Sequence, residues 1–142
     1  MAVQQAPLVV VDAANVIGSV PDGWWRDRAG ATGRLRDALA AAGPSSLDGA
    51  GDDVRLVLVV EGAAKRVPAV DGVEVVAAAG SGDDAIVELV QREGTDRHCL
   101  VVTADRALRA RVQAAGAEVC GPRTVRQPVR QRPTRPTATG SG

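Results

Sequence analysis

Four acidic positions stand where apolar runs end or where a helix begins. Leu8-Val9-Val10-Val11 runs into Asp12, with Asn15 three residues on. Val57-Leu58-Val59-Val60 runs into Glu61, and Leu100-Val101-Val102 leads through Thr103 and Ala104 to Asp105. Asp83 and Asp84 follow Gly80-Ser81-Gly82. An isolated carboxylate at the end of a buried run is costly to desolvate, and several gathered in one place repel one another. A cation relieves both problems. Carboxylate oxygens suit Mg²⁺ or Mn²⁺, which accept a few protein ligands and keep several waters. Such an ion can bind a phosphate, acidify a bound water and screen developing charge. The chemistry these residues could do is therefore metal-dependent phosphate chemistry.

The elements around them must bring these positions together. Residues 8–11 form a continuous apolar run that reads as a strand buried on both faces, and 54–60, 73–77, 99–102 and 117–120 read as further strands. Apolar spacings of three and four predict helices over 27–42, 83–93 and 105–115. Gly43-Pro44 stops the first and Gly116 the last, and 44–53 reads as a loop. Strands alternating with helices predict an α/β fold of three layers, with a mainly parallel central sheet of about five strands. In such a sheet the carboxyl ends of the strands lie along one edge, where ligands bind.

Composition sets bounds. The chain has 142 residues, 45% of them hydrophobic, enough for one domain with a real core. It has no Phe and no Tyr, so Val, Leu, Ile and Ala must fill that core. The net charge of zero is unevenly spread. Residues 122–142 hold Arg123, Arg126, Arg130, Arg132 and Arg135 and no acid, which leaves 12 basic against 17 acidic residues in 1–121. The expected organisation is one domain over 1–123 and a disordered Arg/Pro-rich basic tail over 124–142. Cys99 and Cys120 lack metal-site spacing, and His98 is the sole histidine, so neither a zinc site nor a histidine-based triad is expected. No apolar stretch is long enough for a membrane helix and no leader pattern is present, so a cytoplasmic protein with no membrane partner is expected.

Spacing discriminates among phosphate chemistries. A haloacid-dehalogenase phosphatase needs a second Asp two residues after the first, where this chain has Ala14. The Gly-rich fingerprint of dinucleotide binding is absent after the first strand, and so is the P-loop pattern; the one lysine is Lys65. Gly80-Ser81-Gly82 followed by two Asp would repel a bare phosphate.

The segments VVVDAANVIG, VVEG, GSGDDAIVELV and VVTADRALRARV, in that order, resemble a PIN-like nuclease domain of the NYN type. With the WWRDR segment they look most like the small bacterial stand-alone NYN proteins, over about residues 6–123. The resemblance implies a Rossmann-like sheet, a Mg²⁺ or Mn²⁺ centre and phosphodiester hydrolysis, most often of single-stranded or flexible RNA. It implies Asp12, Asp105 and one of Asp83 and Asp84 as metal ligands and catalytic acids, with Asp84 preferred. Asn15 matches a supporting polar position. Glu61 stands where Asp is usual and is carried as a further ligand or water activator. Thr103 matches the residue that orients Asp105, and is counted with Trp24, Arg26 and Arg106 on the substrate side. Trp24 has two readings, a stacking platform for an unpaired base and a hydrophobic plug. The Arg tail also has two, a salt-sensitive phosphate contact and a plain chain end. Homodimers are common among PIN-like domains, but no apolar stripe marks an interface here. Two other functions fit the same residues: hydrolysis of small nucleotides or phosphoesters at the same centre, and a catalytically silent RNA-binding or ribosome-associated module.

Overall fold

The computed structural model describes residues 7–19, 26–42, 54–94 and 97–122. Trp24 and the tail from residue 123 onward lie outside the described residues, and so do the readings placed on them. Five strands form one sheet: β1 (Leu8–Asp12), β2 (Arg55–Val60), β3 (Glu74–Ala77), β4 (Cys99–Val102) and β5 (Glu118–Cys120). The order is β3-β2-β1-β4-β5, and every pairing is parallel. The helices are α1 (Ala13–Gly18), α2 (Arg28–Ala42), α3 (Gly82–Glu93) and α4 (Arg106–Ala114), with a short 3-10 helix at Gly62–Arg66.

The register explains the apolar runs. Val10 of the central strand lies opposite Val57 on one side and Val101 on the other. Alternate residues then face opposite layers. Val9, Val11, Leu56, Leu58 and Val60 pack with Val16 of α1, Leu39 of α2 and Ala64 of the 3-10 helix. Leu8, Val10, Val57, Val59 and Val101 pack with Ile86, Leu89 and Val90 of α3 and Leu108 and Val112 of α4. The result is a three-layer α/β fold whose two cores contain no Phe or Tyr. Each fully buried Val or Leu contributes about 1.5–3 kcal/mol, so many small contributions stand in for a few aromatic ones.

The strand order places the site. The chain builds outward from β1 through β2 to β3, then returns to lay β4 on the other side of β1 and finishes at β5. The direction reverses between β1 and β4, and a ligand crevice opens beyond the carboxyl ends at such a reversal. Asp12 ends β1, and Thr103-Ala104-Asp105 follows β4 directly.

Two elements were not resolved in the sequence as helices. α1 follows Asp12 without a connecting loop, and its six residues are too few for apolar periodicity to show. The 3-10 helix after Glu61 is shorter still. No helix among the described residues is long and apolar enough to cross a membrane.

Candidate active site

Asp12 is the buried acid of the site, only 6% exposed. It caps α1, accepting from the Asn15 backbone N–H at 3.4 Å through Oδ1. Its Oδ2 accepts from the Thr103 hydroxyl at 3.0 Å. The same hydroxyl oxygen accepts from the Asp105 N–H at 3.1 Å. Asp105 in turn caps α4, its Oδ1 accepting from the Leu108 N–H at 3.0 Å. A second strut runs parallel to the first, because Asn15 Oδ1 accepts from the Ala104 N–H at 2.8 Å. Two side chains, Thr103 and Asn15, thus lace the β1–α1 junction to the β4–α4 junction.

Burial drives the electrostatics. The Asp12 carboxyl is pushed up to about 6, chiefly by desolvation; the Thr103 and Asn15 hydrogen bonds pull it back down, and the nearby charges of Asp83 and Glu61 raise it further. Asp83 is also raised, first by partial burial and then by Asp105 and Glu61, with Arg111 opposing. Asp12, Glu61, Asp83 and Asp105 therefore share one region of the carboxyl edge and feel one another.

Asp84 stands apart from that group. It is exposed and pairs with Arg111, whose Nη2 donates to Asp84 Oδ1 at 3.0 Å. Of the two neighbouring acids, Asp83 is the half-buried one that the charges of Asp105, Glu61 and Asp84 raise, whereas the sequence reading slightly preferred Asp84 as the ligand. The turn of α3 explains the choice. Ser81 caps the helix by accepting from the Asp84 N–H at 3.2 Å, and successive side chains then diverge around the helix axis.

Glu61 reaches across from the end of β2, and its Oε1 accepts from the Gly82 N–H at 2.7 Å. Thr103 is fully buried, with its hydroxyl between the Asp12 carboxylate and the Asp105 N–H. Arg106, the first residue of α4, is exposed, as is Arg26 ahead of α2.

Three contributors were not identified from the sequence. Arg109 donates through Nε to the Thr103 carbonyl at 2.8 Å, fixing the turn that carries Asp105. Arg111 bridges α4 to α3. Gly82 supplies the N–H that Glu61 binds. The Ser81-to-Asp84 spacing was a readable capping signal, whereas a guanidinium folding back on a carbonyl leaves no sequence mark.

The donors present are hard oxygens, as Mg²⁺ or Mn²⁺ requires. Among the described residues no three His, Cys, Asp or Glu side chains converge into a ready-made cage. The arrangement fits an ion held by one or two carboxylates, with water completing its shell.

The chain shares the fold of Rae1. The crystal structure of Rae1 (YacP) from Bacillus subtilis superimposes with a TM-score of 0.66 at 20% identity, covering 86% of this chain and 72% of that one. Its W164L mutant gives 0.62 at 22% identity, covering 86% and 73%. No family model matches the chain, and no curated protein matches it. At this identity the likeness shows the Rossmann-like three-layer architecture.

Proposed function

We propose that this protein is a metal-dependent ribonuclease, hydrolysing RNA phosphodiester bonds at the carboxyl edge of its sheet. The observation that carries the reading is the crowding of Asp12, Glu61, Asp83 and Asp105 at the reversal point of the strand order, with Asp12 buried and pushed up to about 6. Capping α1 does not itself require that Asp12 be buried among other acids, and a divalent cation offsets that repulsion. The ordered motif resemblance to NYN-type PIN-like domains supplies the substrate class.

One or two of Asp12, Asp83 and Asp105 would hold Mg²⁺ or Mn²⁺, with water completing the shell. When bound, the ion supplies Lewis-acid activation of water and neutralises charge at the scissile phosphate. The chain's own residues do the rest. Thr103 and Asn15 fix the separation of the Asp12 and Asp105 backbones, so the two carboxylates are positioned before substrate arrives. Arg109 anchors the Thr103 carbonyl and with it the turn. Arg106 is exposed at the start of α4, where it can meet a phosphate of the bound strand.

The test is direct. The wild type and Asp105→Asn are incubated with single-stranded RNA, structured RNA and nucleoside triphosphates, with Mn²⁺ or with chelator. Metal-dependent RNA cleavage that disappears in the variant is the expected result. Turnover of triphosphates alone would replace the reading with a small-nucleotide hydrolase. RNA binding without turnover, untouched by Asp105→Asn and lost on removing residues 122–142, would replace it with a silent binding module.

A further inference from the structure

Glu61 is the acid whose geometry differs most from a ligand's. It ends β2 and starts the 3-10 helix, its own carbonyl accepting from the Ala64 N–H at 3.2 Å. That helix packs in the layer of α1 and α2. Yet the Glu61 side chain turns the other way, to the first residue of α3, and its Oε1 takes the Gly82 N–H at 2.7 Å. Gly82 is buried, and a Cβ there would lie 3.4 Å from the Glu61 carboxyl carbon, so the carboxylate rests directly against the helix start.

The first N–H groups of a helix have no partner inside the helix. Ser81 satisfies the N–H of Asp84, and Glu61 satisfies that of Gly82. Between them sits Asp83, which faces the other acids. Length matters here. An Asp at position 61 would end one methylene short, about 1.5 Å, and the 2.7 Å bond would open beyond hydrogen-bonding range. The Glu that departs from the usual Asp of NYN-type domains is the residue that can make this reach.

The geometry points to Glu61 as a positioning residue: it acts as a hydrogen-bond acceptor that clamps the first turn of α3 to the end of β2 and so sets Asp83, rather than as a charge that ligates the metal. This rests on the reading that the neighbouring acids hold a divalent ion. The two roles separate chemically. A Gln keeps the acceptor oxygen and the length but loses the charge, whereas an Asp keeps the charge and loses the length.

The experiment measures Mn²⁺ binding by calorimetry and hydrogen exchange at the Gly82 amide, on the full chain, for wild type, Glu61→Gln, Glu61→Asp and Glu61→Ala. Glu61→Gln is expected to bind Mn²⁺ within about threefold of wild type and Glu61→Asp and Glu61→Ala roughly 10- to 100-fold more weakly, as supporting-shell losses do. Gly82 exchange should speed up in the Asp and Ala variants and stay slow in the Gln variant. Glu61→Gln binding as weakly as Glu61→Ala with Gly82 still protected would overturn the clamp in favour of a ligand, and so would wild-type affinity in Glu61→Asp. If the wild type itself binds no Mn²⁺, the reading of the site as a metal centre falls. Gly82 exchange then decides the clamp alone: accelerated in Asp and Ala but not in Gln upholds it, and unchanged in all three sinks it.

Discussion

The two edges of the sheet use the same charged residue types to opposite ends. At the amino edge, Arg55 at the start of β2 donates to both carboxylate oxygens of Glu74 at the start of β3, at 2.6 and 2.9 Å, and lies 3.5 Å from Glu93. Arg97 reaches the same Glu93 at 3.6 Å. Glu74 and Glu93 there each have a cation, and the Glu74 carboxyl is held below its usual range, chiefly by the Arg55 hydrogen bond. At the carboxyl edge the acids face one another, and Asp12 is raised instead. One edge closes the domain and the other stores unfavourable charge. The difference teaches where to look for function: where carboxylates raise one another, with Arg111 only partly offsetting the effect at Asp83.

The largest break in this contrast is Asp12→Asn. Its turnover of RNA should fall by at least about 100-fold, on the scale of losing a catalytic group. The same variant should be more stable without metal at neutral pH. A carboxyl raised from 3.8 to about 6 costs the fold on the order of 3 kcal/mol when ionised. About 1 kcal/mol of that relief is lost again through the disturbed Thr103 bond. Thermal unfolding in chelator, beside an RNA cleavage assay, checks both halves. A variant that is inactive and less stable would dissolve the contrast.

Acidification sharpens the comparison without mutation. Between pH 6 and pH 4 the folded state holds a proton on Asp12 that the unfolded state lacks, so this group's contribution to stability rises as pH falls through that window. Glu74 works in the other direction: its folded pKa is depressed, so its contribution is present above its unfolded pKa and fades as pH falls through the folded one. Metal-free melting curves should therefore show stability gained as pH falls from about 6 towards 4, then lost under stronger acid. Saturating Mn²⁺ should reverse the first limb, because ligation needs the ionised carboxylate.

Thr103→Val tests the lacing inside the acidic edge. It keeps the shape but strips the donor from Asp12 and the acceptor from the Asp105 N–H, at a cost of about 1–3 kcal/mol. Losing the donor raises Asp12 further, so the acid limb of the pH–rate profile should move to higher pH. The smallest effect is expected at the amino edge. Arg55→Ala, at a half-exposed pair, should cost less than about 1 kcal/mol and leave RNA turnover unchanged.

Much of this was legible in the residues. Apolar runs marked the buried β1, β2 and β4 most plainly, and Ile86, Leu89, Val90, Leu108 and Val112 marked the buried helix faces, because buried parallel strands and amphipathic helices write their periods directly into the chain. Asp12 and Asp105 stood out because an acid ending an apolar run is unusual. The orientation of Asp83 against Asp84 was not legible. Adjacent helical residues point about a quarter-turn apart, and which one faces the edge depends on how α3 docks. Nor was the commitment of Glu61 to Gly82, since a bond to a backbone N–H 21 positions away leaves no pattern in side-chain types. Trp24 and the Arg tail, prominent in the sequence, lie outside the described residues.

The Thr103 hydroxyl carries one hydrogen. Its oxygen already accepts from the Asp105 N–H, so that hydrogen is directed at Asp12 Oδ2. A backbone amide, which cannot change its direction, thereby favours the Thr103 rotor that points at Asp12, and the two acids are joined through that one hydroxyl.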